Sequence, residues 1–156
     1  MAKSKHKPIK SISNRRARYD YELGDSLVVG MELTGPETKA LRLGHGQLRG
    51  AYVTIKDDEL FLVNASISGT NGMVISESDQ TRPRKLLAKR REIDNLKSAK
   101  QQARTIVPLA VLTGGRYIKL RLAIGKGKKR YDKRQVILKR DQQRNLNSTL
   151  KQTHYF

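Results

Sequence analysis

Apolar and polar positions alternate along much of this chain, and the alternation predicts a mainly β structure. Leu27, Val29, Met31 and Leu33 fall on one face, the expected core face, and Val28, Gly30 and Glu32 on the other. Gly35-Pro36 ends this strand. Pro36 suits the first position of a helix, Glu37 complements its positive end, and Gly44 stops it after Ala40, Leu41 and Leu43. Ala51, Val53 and Ile55 alternate with Tyr52 and Thr54. Asp57-Asp58-Glu59 is a turn, and Leu60-Phe61-Leu62-Val63 returns, which predicts a hairpin.

The stretch 66–78 is rich in Ser, Gly and Asn and is expected to be a long excursion with room for one short strand. From Thr81 to Leu96, the apolar residues Leu86, Leu87, Ile93 and Leu96 predict the main helix. Thr105 to Leu112 is a strand with Pro108 in it, which places that strand at an edge or a bulge. Thr113-Gly114-Gly115-Arg116 is a tight turn. Ile118, Leu120, Leu122 and Ile124 then point inward, with Lys119 and Arg121 outward. The pattern predicts a small antiparallel barrel of oligonucleotide-binding type, with about five to six strands and about two or three helices.

The ends lack such patterning. Residues 1–13 are basic, carry Pro8 and are expected to form a disordered arm. The barrel is expected over 14–125 and a basic tail over 126–156. Beyond Gly127 there is no Gly or Pro, and Val136, Ile137, Leu138, Leu146 and Leu150 are the main apolar residues. Such a tail is expected to be disordered when free and helical when bound.

Charge turns this outline toward a partner. The 156 residues carry a net charge of +19. Residues 1–19 contribute +7 and 126–156 contribute +8, so a nearly balanced body has two cationic ends. Six of the ten residues in Gly125-Lys126-Gly127-Lys128-Lys129-Arg130-Tyr131-Asp132-Lys133-Arg134 are cations, and the glycines are expected to keep its start flexible. Arg82, Arg84, Lys85, Lys89, Arg90 and Arg91 have only Glu92 and Asp94 nearby, so most of that charge is expected to be unpaired. Such a distribution fits a polyanion. In Asn14-Arg15-Arg16-Ala17-Arg18-Tyr19-Asp20-Tyr21, the arginine forks suit phosphates, and the rings either stack on bases or close the core.

With no Cys and three scattered His, disulfides, thiol catalysis and a metal site are not expected. No apolar run reaches membrane-spanning length, and a soluble, cytoplasmic protein is expected.

Taken in order, these stretches resemble the SmpB family, the tmRNA-binding proteins of bacterial ribosome rescue. The resemblance rests on His6-Lys7-Pro8, Asn14-Arg15-Arg16-Ala17-Arg18 and Gly30-Met31-Glu32-Leu33-Thr34-Gly35. It continues through Glu37-Thr38-Lys39-Ala40-Leu41-Arg42, Tyr52-Val53, Arg84-Lys85-Leu86-Leu87, Arg91-Glu92-Ile93, Gly127-Lys128-Lys129 and Asp132-Lys133-Arg134. It implies a body that binds the tRNA-like domain of tmRNA, through Asn14, Arg15, Arg16, Arg18, Glu32, Arg84 and Lys85. It implies a tail that reads the empty mRNA channel and decoding centre of a stalled ribosome. That tail set is Lys128, Lys129, Tyr131, Asp132, Lys133, Arg134, Lys139, Arg140 and Arg144. The implied partners are tmRNA, the ribosome and, through tmRNA, EF-Tu; no cofactor or membrane is implied, and a monomer is the default. The family usually carries Glu-Ala ahead of the first-strand glycine. Here the pair is Val28-Val29, with Glu32 as the acid in reach.

Other classes fit less well. An enzyme needs a nucleophile with a base, a metal or paired carboxylates, and none of these constellations stands out. A phosphate loop is absent, because Gly125-Lys126-Gly127-Lys128 lacks the spacing. A general RNA-binding or ribosome-associated protein is the closest rival. The body's few aromatics, chiefly Tyr52, Phe61 and Tyr117, favour folded RNA over stacked single strands.

Overall fold

A computed structural model describes residues 11–153. In chain order its elements are β1 (Ser11–Ser13), α1 (Ala17–Asp20), β2 (Tyr21–Met31), α2 (Gly35–Arg42), β3 (Gly46–Gln47), β4 (Tyr52–Lys56) and β5 (Glu59–Val63). They continue as β6 (Ser66–Ile67), α3 (Glu77–Gln80), β7 (Arg84–Leu87), α4 (Arg90–Gln101), β8 (Thr105–Leu112), β9 (Lys119–Gly127) and α5 (Arg130–Thr153). Seven strands form one antiparallel sheet in the order β1-β8-β9-β2-β7-β5-β4, and β3 pairs with β6. The described residues are thus mainly β with five helices, more strands and helices than expected. The surplus strands are short and pair far along the chain, so no local alternation announces them.

The alternating stretches form the centre of the sheet. In the β2–β9 ladder Val29 lies opposite Leu120, both buried, while Val28 lies opposite exposed Arg121. Pro108 sits where the β8–β9 register shifts, so its missing N–H interrupts no regular pairing. Asp57 and Asp58 both take positive φ in the two-residue loop between Lys56 and Glu59, the geometry that matches hairpin twist. Leu41, Leu60, Leu62, Leu86, Leu96, Leu120 and Leu122 meet in one core. At one end of the sheet, β4 lies against β8 near the other end, with no pairing between them among the described residues.

Three expectations need correction. The helix expected over Thr81–Leu96 divides into β7 and α4. Leu86 faces the core opposite Leu60, whereas Leu87 is exposed, which is strand alternation. The helix starts later, where the Glu92 carboxylate accepts the Lys89 N–H at 2.8 Å, and buries Ile93, Leu96 and Ala99. Second, the arm expected to be disordered over 1–13 contains β1 at its end, while residues 1–10 lie outside the described residues.

Third, the body does not stop at residue 125, and Gly125 is no flexible joint. It pairs with Leu23 and Thr105 within β9, which runs to Gly127. A Cβ on Gly125 would lie 3.1 Å from the Tyr21 Cβ and 3.4 Å from Val107 Cγ2. A Cβ on Gly127 would meet nothing within 4 Å. We therefore expect Gly125→Ala to cost about 1–3 kcal/mol by overpacking and Gly127→Ala much less, as read from urea midpoints.

Candidate nucleic-acid interface

The N-terminal arm is held in place by backbone chemistry. Ser11 to Ser13 pair with Leu112 to Ala110 of β8. Asn14 then donates its backbone N–H to Leu109 O at 2.7 Å and its side-chain amide to Pro108 O at 3.0 Å. The irregular register at Pro108 leaves these carbonyls to the arm. Asn14 is therefore an anchor of the arm. Ala17 is buried and seats α1, so Arg15, Arg16 and Arg18 project into solvent from a fixed backbone. Arg16 lies 3.7 Å from Asp20. Among the described residues, Arg15 and Arg18 side chains form no ion pair.

The basic stretch after β9 folds against this arm. Lys128 donates its backbone N–H to Asp20 O at 2.9 Å and its Nζ to Arg18 O at 3.0 Å. Lys133 Nζ lies 3.3 Å from an Asp20 carboxylate oxygen and 5.8 Å from the Tyr19 ring centre. Of the tail set, Lys128 and Lys133 contact the body, and Arg140 borders a hollow beside Arg15, Arg16 and Tyr19. Lys129, Tyr131, Asp132, Arg134, Lys139, Arg140 and Arg144 are exposed. The tail expected to be disordered when free is, over Arg130–Thr153, a single helix. Its lack of Gly and Pro, Asp132 in the first turn and the anchors on α1 account for that.

The other expected RNA contacts divide sharply. Glu32 is exposed, and its backbone N–H donates to Lys85 O at 2.9 Å. Lys85 is neutralised by Glu59 at 2.6 Å, and this hydrogen bond raises the pKa of its ammonium group. Arg84 is fully buried. Its guanidinium donates to Glu37 at 3.1 Å and to the carbonyls of Ala65, Asp79, Gln80 and Arg82. It is a structural residue with no face left for RNA. Arg82 also grips Glu37, with two bonds of 2.8 Å. Burial alone would push the Glu37 carboxyl up. Hydrogen bonds from Arg82 and the Thr34 N–H, with the charges of Arg84 and Arg82, outweigh it and hold the carboxyl below its ordinary range. Burial draws Arg84 below its ordinary value against the pull of Glu37. The expectation of mostly unpaired charge over Arg82–Arg91 thus fails for Arg82, Arg84 and Lys85, and for Arg90, which reaches Asp58 at 3.3 Å.

The SmpB protein family model matches residues 11–152. The chain belongs to the SmpB family. An SsrA-binding protein of Chloroflexus aurantiacus is 40% identical over 159 residues, covering 99% of each chain. One of Oenococcus oeni is 42% identical over 142 residues, covering 90% of this chain and 92% of the relative. Among solved structures, a chain described under "tmRNA-SmpB: a journey to the center of the bacterial ribosome" superposes with a TM-score of 0.64 at 34% identity. That superposition covers 81% of this chain and 94% of the other.

Val28, the first residue of the Val28-Val29 pair, makes an apolar surface patch with Leu87. Val28 is 41% and Leu87 55% exposed, and Gly30 lies opposite Leu87 in the ladder. Lys85, Lys89 and Glu59 rim the same hollow. Leu87 escapes sequence reading because a helical stripe would have buried it. Among the described residues no cluster of His, Asp or Glu could hold a metal, and no helix is long and apolar enough to cross a membrane.

Proposed function

We propose that this SmpB-family chain is an RNA-binding adaptor that holds the tRNA-like domain of tmRNA and brings it to stalled ribosomes for trans-translation. The observation that carries the reading is the anchored arm with Arg15, Arg16 and Arg18 exposed, in a chain of this family. Arginine forks on a rigid backbone bind phosphates without reorganising. Asn14 holds the arm that presents them, whereas Arg84 is spent in the core. Glu32 and Lys85 lie where the end of β2 meets β7, joined by the hydrogen bond from the Glu32 N–H to Lys85 O.

The tail is the ribosomal half of the adaptor. Lys129, Tyr131, Arg134, Lys139, Arg140 and Arg144 would meet the decoding centre and the empty mRNA channel as a helix. The tail is already helical over Arg130–Thr153, so entering an empty channel orders little further backbone. A channel filled by mRNA leaves that helix no room and none of its contacts. Bond-making belongs to the ribosome, and EF-Tu is reached through tmRNA. The curled sheet, with β4 against β8, supports an oligonucleotide-binding-type barrel, and the working place is the cytoplasm.

A stop after Lys129 tests the division of labour, since it spares β9 and the Lys128 anchors. The shortened chain should bind a tRNA-like tmRNA fragment within about tenfold of the full chain and fail to support peptide tagging on stalled ribosomes. Normal tagging by the shortened chain would remove the tail from the mechanism.

A further inference from the structure

We propose that Arg49 and Tyr52 form a second wall of the RNA site, holding a backbone phosphate and an adjacent base of the strand that lies along the N-terminal arm. This rests on the tmRNA reading; it adds Arg49, which the sequence did not single out, and gives a contact to Tyr52, which the sequence named among the body's few aromatics.

Two open hollows meet at Arg49. One, of about 540 Å³, is lined by Arg15, Arg16, Tyr19, Gln47, Arg49 and Arg140 among others. The second, of about 470 Å³, lies beyond Arg49 and includes Arg16, Asp20, Tyr21, Gly50 and Tyr52. Arg16 and Arg49 border both, so the two make one continuous cationic trough. The first hollow has no carboxylate in its lining, and in the second the single carboxylate, Asp20, is engaged by Arg16 and Lys133. Arg49 is exposed and forms no ion pair among the described residues.

The turn that carries Arg49 is fixed. Leu48 is buried below it, and Ala51 N–H donates to Leu48 O at 3.0 Å. Gly50 takes φ +75°, and its carbonyl accepts the Asn64 side-chain amide at 3.2 Å. The guanidinium is thus presented from a set backbone, which lowers the entropy lost on binding. Tyr52, three positions on, is 48% exposed. A fork for phosphate beside an open aromatic face matches a nucleotide of RNA; a simple anion would use only the fork.

The test uses the full chain and a tRNA-like tmRNA fragment, titrated across salt concentrations, with single-stranded RNA in parallel. Arg49→Ala should bind about tenfold more weakly at 0.1 M salt, with a log–log salt slope shallower by about 0.7–0.9. Tyr52→Ala should lose affinity with the slope unchanged, because a ring releases no counterions. Lys100→Ala, an exposed cation outside both hollows, is the control and should match the unaltered chain. Thermal melts of the two variants should match the parent, since both side chains are exposed. If the parent prefers the fragment and both variants bind it as the parent does, the second wall is wrong. If Arg49→Ala weakens every RNA alike and the parent shows no preference, the wall stands and the tmRNA reading falls.

Discussion

Replacing Glu37 with Gln is expected to lower the unfolding free energy by about 3–5 kcal/mol. The reason is the buried charge it leaves behind. Glu37 accepts from Arg82 Nε, the Arg82 terminal nitrogen, Arg84 Nε and the Thr34 N–H, all within 3.1 Å. Arg84 is fully buried, so its charge has no solvent to turn to when the carboxylate goes. Gln keeps the shape but supplies one acceptor oxygen and no charge. By contrast Glu59→Gln, which breaks the exposed Lys85 pair, should have little effect on stability. Urea midpoints with an unchanged slope would measure both. Equal, small effects would mean that the Arg82–Glu37–Arg84 cluster contributes nothing specific.

The same cluster sets an acid limb. The Glu37 carboxyl sits below its ordinary value of 4.5, so its contribution is fully present above that pH. It is lost as pH falls through the lower folded value, where the native carboxylate takes its proton. Stability of the parent should therefore fall with acidity below the ordinary value. The Glu37→Gln chain should show a shallower decline over the same window.

Reversing Arg15 and Arg16 to Glu is expected to weaken tmRNA binding about a hundredfold at 0.1 M salt and to flatten the salt slope by about 1.4–1.8. Both side chains are exposed on a backbone fixed by Asn14 and Ala17. The fold should survive, because only the Arg16–Asp20 contact at 3.7 Å is lost, and exposed pairs of that kind contribute little. A melt unchanged within a few degrees separates lost binding from lost structure. An unchanged salt slope would remove both arginines from the phosphate contacts.

What could be read from the sequence was local. The faces of β2 and of β9 up to Leu122 follow from alternation, which breaks at buried Ala123, and the α2 boundaries follow from Pro36, Glu37 and Gly44. The Pro108 bulge follows from a missing donor. What could not be read depends on distant partners. Arg84 looks like a surface cation until Glu37, 47 positions earlier, is brought beneath it. Leu86-Leu87 fits a helix stripe and a strand equally well, and only the pairing of Leu86 with Leu60 decides. Asn14 resembles an RNA contact by its place in the arginine run, yet its amide is spent on β8, 94 positions away. The exposure of Arg15, Arg16 and Arg18 was legible, because exposure needs no partner. Arg49 was not, because it stands alone in sequence and acquires its neighbours only through the fold.

The most direct test of the adaptor reading is competition binding. The full chain is bound to a labelled tRNA-like tmRNA fragment at physiological salt, with unlabelled fragment, an ordinary tRNA and a single-stranded RNA as competitors. The account predicts displacement by the fragment at concentrations at least about tenfold lower than by either other RNA. Equal displacement by all three would show that the +19 chain binds RNA by charge alone, and would contradict the account.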